Sequence, residues 1–121
     1  MRVFVYFNLH RKVWSVKALE GAMKGRVVAH RTHLMLADAM FRVSQAGRRR
    51  VLAEQRKNVH AGVVGQWCDQ PFKTPESLSA VTYNPYKYSS FVCVAGELPV
   101  AAADRVYFNG RSVGAAGLTD W

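Results

Sequence analysis

Acidic residues are scarce in the first half of this chain. Residues 1–60 hold only Glu20, Asp38 and Glu54, against 13 Lys and Arg, a balance of +10. Residues 61–121 hold four bases and five acids, a balance of −1, so the formal net charge of +9 comes from the first half. Scarce carboxylates argue against a two-metal nuclease, whose ions need several converging acids; Asp38, Glu54, Asp69 and Asp104 are a poor supply. Cysteine is equally thin. Cys68 and Cys93 are too few for a disulfide scaffold and read as buried free thiols, with a single bridge between them the alternative. With no Cys-x-x-Cys pair and no His/Cys spacing of the zinc type, no metal site is expected. Nor is there a Gly-x-Ser-x-Gly nucleophile motif, and Gly21 to Gly25 lacks the Gly-Lys-Ser/Thr end of a phosphate-binding loop. No cofactor is implied. Apolar runs stay far below bilayer-spanning length, and Met1 to Leu9 is too short for a signal-peptide core with its cleavage site. The expectation is a soluble intracellular protein with no membrane partner.

What the chain does have is apolar residues at 50% and aromatics at 12%, enough for a core in 121 residues. It reads as one domain: a basic half over 1–60, a neutral β-rich half over 61–113 and a loose tail over 114–121. Val3 to Phe7 is β-branched and aromatic on both faces, as in a central strand. Val13 to Leu19 alternates, and the short link Asn8 to Lys12 makes the two a hairpin. A glycine-marked loop over 21–25 leads to a third strand, Arg26 to His30. Leu34 to Leu36 and Met40 to Val43 read as two short apolar pieces, strand or irregular. Val59 to Trp67 is a strand, 69–79 a surface loop with Pro71 and Pro75, and Ala80 to Tyr83 and Tyr88 to Val94 flank a turn at Asn84-Pro85. Residues 95–104 read as a small-residue connection. Val106 to Val113 predicts a hairpin with Asn109-Gly110 in a type I′ turn.

Ser44 predicts a helix N-cap, and the helix is expected to run to about Lys57 with Val43, Gly47, Val51 and Leu52 on its buried side. Arg49 and Arg56, and Arg50 and Lys57, are seven apart and would project in pairs two turns apart. Gly47 weakens such a helix by roughly 1 kcal/mol relative to Ala; a close contact with a strand or ligand would explain it. The expected fold class is α+β: a mainly antiparallel sheet with one principal basic helix packed on it.

Three constellations could carry function. Arg48, Arg49, Arg50, Arg56 and Lys57 are balanced only by Glu54, and the arginine fork suits phosphates; a solvated helix face is the plain alternative. Tyr83, Tyr86 and Tyr88 surround a turn with Lys87, so the rings could stack on a base while the lysine meets a phosphate, or simply cover a sheet edge. His30-Arg31-Thr32 matches a His-x-Thr element of two-histidine phosphoesterases, but His60 is followed by Ala61 and Gly62, so the second element is missing. His30 and His60, with Asn58, are then read as polar contacts, with a histidine phosphodiesterase as the minor enzymatic alternative. The expectation is binding without catalysis.

Val5 to His10, Gly25 to His30, Ala46 to Leu52, Arg56 to Gly65 and Tyr83 to Tyr88 together resemble a group of small bacteriophage-encoded proteins of unassigned activity, over roughly residues 1–94. The resemblance implies a phage accessory protein in the bacterial cytoplasm. Many such proteins block host defence by binding a defence protein or trapping its nucleotide messenger. The leading expectation is therefore a counter-defence protein that sequesters a nucleotide signal, as a homo-oligomer enclosing its ligand. The alternatives are a DNA- or RNA-binding accessory protein and an inhibitor docking on an acidic host defence protein.

Overall fold

Aromatic and β-branched residues dominate the chain's apolar fraction, and strands dominate its structure. The computed structural model describes residues 1–68 and 77–120. The strands are β1 (Arg2–Asn8), β2 (Val13–Ala18), β3 (Val27–Arg31), β4 (His33–Val43), β5 (Ala61–Cys68), β6 (Ser79–Thr82), β7 (Val92–Cys93), β8 (Val100–Asn109) and β9 (Ser112–Asp120). Between β4 and β5 lies a helix, α1 (Gln45–Glu54). All strands join one sheet in the order β3-β2-β1-β5-β4-β8-β9-β6-β7, and every ladder is antiparallel. Most of the loop expected over 69–79 lies outside the described residues.

The sheet buries its apolar face by rolling onto itself. Trp14 on β2 and Phe108 on β8 are four strand steps apart, about 19 Å in a flat sheet at the usual strand spacing. Their rings are 4.8 Å apart. On the other flank, Phe41 on β4 meets Phe91, just before β7, at 5.2 Å. Both wings therefore curl over the β5-β4-β8 centre and enclose Val3, Val5, Val16, Leu36, Val63, Val106 and Phe108. Trp14 Nε1 donates to the Gly110 carbonyl at 2.7 Å and pins the first hairpin to the last.

This corrects the expected α+β arrangement. The core forms between the two wings of a β-sheet, and α1 contributes one buried residue, Val51. Leu52, expected on the buried side, is 38% exposed. The helix also stops early: Gln55 is its C-cap in the left-handed conformation, so Arg56 and Lys57 lie past its end and the predicted seven-residue pairings do not form.

Five further expectations need correction. The two apolar pieces over 34–43 are one strand, interrupted by a bulge where Asp38 takes a φ of 48° and the register shifts. The bulge keeps Leu34, Leu36, Ala39 and Phe41 all buried while breaking the two-residue alternation. The small residues at 100–104 begin β8, and residues 114–120 of the expected loose tail belong to β9, paired with β8 and β6. The last turn has Gly110 and Arg111 as its two loop residues, with positive φ only at Gly110, as in a type II′ rather than a I′ turn. Cys68 and Cys93 are free thiols, half-buried rather than buried. The first hairpin follows its prediction: the Asn8 side chain accepts from His10 and Arg11 N–H, each at 3.0 Å, and Lys12 turns the chain at a φ of 57°.

Candidate functional site

The start of α1 is fixed by three local bonds. Ser44 Oγ accepts from Gly47 N–H at 3.2 Å, its carbonyl from Arg48 N–H at 2.9 Å, and its own N–H donates to the His60 carbonyl at 2.7 Å. The predicted N-cap is thus present, and it ties the helix to the chain entering β5. Gly47 is required by that approach: a Cβ added there would lie 2.5 Å from His60 Cβ.

Arg48 then reaches sideways. Its Nε donates to the Pro85 carbonyl at 3.0 Å and the Tyr88 carbonyl at 2.8 Å, while Gln45 Nε2 donates to the Ser89 carbonyl at 2.7 Å. His60 completes the seam. Its Nδ1 lies 3.1 Å from both the backbone and side-chain oxygens of Asn58, and its Nε2 lies 2.8 Å from the Tyr83 hydroxyl. Both Asn58 atoms are acceptors, which places the proton on Nδ1 and leaves Nε2 to accept from Tyr83. The basic helix and the tyrosine turn are therefore one assembly.

Within it the predicted residues divide by exposure and engagement. Arg48 is half-buried and holds the turn. Arg49, Arg50, Arg56 and Lys57 are exposed, and among the described residues none pairs with a carboxylate; the ion pair present is Lys87 with Glu97, at 3.9 Å between well-exposed side chains. Tyr83 packs against His60 and Phe91. Burial pushes its phenol pKa up, and the Arg48 charge pulls it partly back. Tyr88 donates to Glu97, a bond that raises its pKa, with burial and the Glu97 charge adding to the rise; Lys87 Nζ sits 5.7 Å from its ring centre. Tyr86, 61% exposed, is the tyrosine whose ring is most available.

His30 lies elsewhere, on edge strand β3, with Nδ1 3.0 Å from Ser15 Oγ. It and His60 belong to separate hydrogen-bond networks. No group of three or more metal-ligating side chains occurs among the described residues. Glu97 and Gln45 were missed from sequence: Glu97 is a lone acid in a stretch of small residues, and Gln45 differs in no local way from any solvated helix residue.

The two best-formed cavities among the described residues are small. One, of about 240 Å³, is lined by Leu78, Ala80, Tyr107, Asn109, Ser112, Val113 and Gly114. The other, of about 160 Å³, is lined by Phe41, Arg42, Val43, Gln45, Ser89, Ser90 and Phe91. Neither is lined by Arg49, Arg50, Arg56 or Lys57.

No helix among the described residues is long and apolar enough to cross a membrane. No solved structure matches the chain. The gene 82 protein of Mycobacterium phage L5 is 45% identical over 124 residues, covering 96% of each chain. The family model described as the Mycobacterium phage L5 gene 82 protein matches residues 1–116, farther along the chain than the stretches that suggested a phage origin. On both counts, the chain belongs to the Mycobacterium phage L5 gene 82 protein family.

Proposed function

We propose that this phage protein binds nucleic acid in the cytoplasm of the infected cell, through phosphate contacts from Arg49, Arg50, Arg56 and Lys57. The observation carrying the reading is that these four exposed cations lack carboxylate partners among the described residues and border neither cavity. A trapped nucleotide messenger favours an enclosed pocket of roughly 300–1,000 Å³. Exposed cations without carboxylate partners instead suit a long polyanion, which needs no enclosure and no second subunit to complete it. Arg48 ties the helix to the turn that carries the exposed Tyr86.

The test is binding of a labelled mixed-sequence oligonucleotide across salt concentrations. Four phosphate contacts predict a log–log slope of about −2.8 for a single strand. Arg49→Glu with Arg56→Glu should lower affinity at least tenfold and flatten the slope. Unchanged affinity in that variant overturns the reading. So does purification with a stoichiometric nucleotide or an acidic host protein in place of nucleic acid.

A further inference from the structure

The outward face of the rolled sheet carries a pattern that the helix site does not use. Lys17, Phe4, Val64, Met40 and Ala102 stand directly opposite one another on β2, β1, β5, β4 and β8. Their chain neighbours Val3, Val5, Val16, Val63 and Ala103 are buried, so this row points away from the core. Tyr6, two residues beyond Phe4, and Arg42, two beyond Met40, begin a second row on the same face. Arg42 is exposed and reaches Met40 Sδ at 3.7 Å.

Phe4 is seated in a particular way. A Cβ added at Gly62 would lie 2.5 Å from Phe4 Cζ and 2.6 Å from Cε1. The ring therefore lies down over the glycine, along the sheet, instead of standing up from it. Tyr6 follows at 5.8 Å between ring centres, with 32° between the planes. Both rings are half-buried, so part of each remains open to solvent. Covering a strand glycine with an aromatic ring is also a way to stabilise a sheet. Charge separates the two roles. Strands β1 to β5 contain Arg2, Lys17, Arg31 and Arg42 but a single acid, Asp38, in the bulge. Cations thus flank the two rings, Lys17 beside Phe4 and Arg42 across from Gly62. Flat rings between cations complement unpaired bases joined by phosphates; a duplex keeps its bases stacked inside and cannot use the rings.

We propose that this face, with Phe4 and Tyr6 stacking on bases and Lys17 and Arg42 meeting phosphates, takes a short stretch of single-stranded nucleic acid. The proposal rests on the nucleic-acid reading above and adds strand form and a seat for the bases.

The experiment compares the full-length protein on labelled dT15, U15 and a 15-base-pair duplex. Phe4→Leu and Tyr6→Leu should each weaken single-strand binding about fivefold or more. Duplex affinity and the salt slope should stay as in wild type. Equal losses on duplex and single strand, or no loss on either, overturn the proposal. dT15 against U15 tells whether the strand taken is DNA or RNA. In case a leucine variant does not fold, ultraviolet cross-linking of the wild type to dT15 gives an independent answer: adducts at Phe4 or Tyr6 support the proposal, and adducts confined to Tyr86 overturn it. If no wild-type probe binds, the broader reading falls; if only the Arg49→Glu/Arg56→Glu variant loses binding, this proposal falls alone.

Discussion

Arg48 Nε lies 2.8 Å from the carbonyl oxygen of Tyr88 and 3.0 Å from that of Pro85, so one guanidinium clasps both ends of the tyrosine turn. A charged donor to backbone carbonyls is worth about 1.5–3 kcal/mol. The first arginine of the triplet thus differs in kind from the next two, which are exposed.

Arg48→Ala should destabilise the protein by about 2 kcal/mol. Arg49→Ala and Arg50→Ala should stay within about 0.5 kcal/mol of wild type. Urea denaturation midpoints of the three variants check this; equal midpoints would show that the clasp contributes nothing.

The His60–Tyr83 bond needs a neutral phenol. Burial holds the folded-state pKa of Tyr83 above its ordinary value of 10.0. A raised folded pKa means that the associated stability is complete below the unfolded value and is lost as pH rises through the folded one. Stability should therefore be insensitive to Tyr83 at neutral pH and fall above about pH 10, and Tyr83→Phe should remove part of that fall. Tyr88, raised first by its bond to Glu97, adds to the same alkaline limb, so Tyr88→Phe should flatten it too. Thermal melts from pH 8 to 11 provide the comparison.

Gly47→Ala sets two effects against each other. Helix propensity favours alanine by about 1 kcal/mol. The new methyl group, however, would meet His60 Cβ at 2.5 Å, and neither atom can move without shifting backbone. Overpacking of this kind costs about 1–3 kcal/mol, so the variant should be less stable than wild type. A stabilised Gly47→Ala would show that the helix can slide away from β5.

How far the sequence revealed this fold depended on whether side chains or backbone held each element. Val3–Phe7, Val13–Leu19 and the Ser44 cap were legible because alternation and a capping hydroxyl leave local marks. Residues 114–120 were not: Gly114, Ala115, Ala116 and Gly117 give little alternation, and their strand is held by ladder bonds to β8 and β6. The β4 bulge at Asp38 hid one long strand behind a broken period. The helix overreached in prediction because Arg56 and Lys57 continue a helical charge pattern past a chain reversal at Gln55 that glutamine does not announce. The candidate site was legible as a set of residue types. That Arg48 faces inward while Arg49 faces outward follows from where the tyrosine turn folds back, a long-range matter with no local signal.

The reach from Trp14 to Phe108 and Gly110 bears on how the protein is made. The indole's partners belong to the last hairpin, 96 positions along for Gly110. Contacts this distant in sequence fold slowly, because a long loop must close before they form. During synthesis the basic half emerges first, and its core face stays incomplete until the β8–β9 hairpin has followed it. A product lacking the β8–β9 hairpin would leave Trp14 without its seat, so the first hairpin's core contacts depend on the late one.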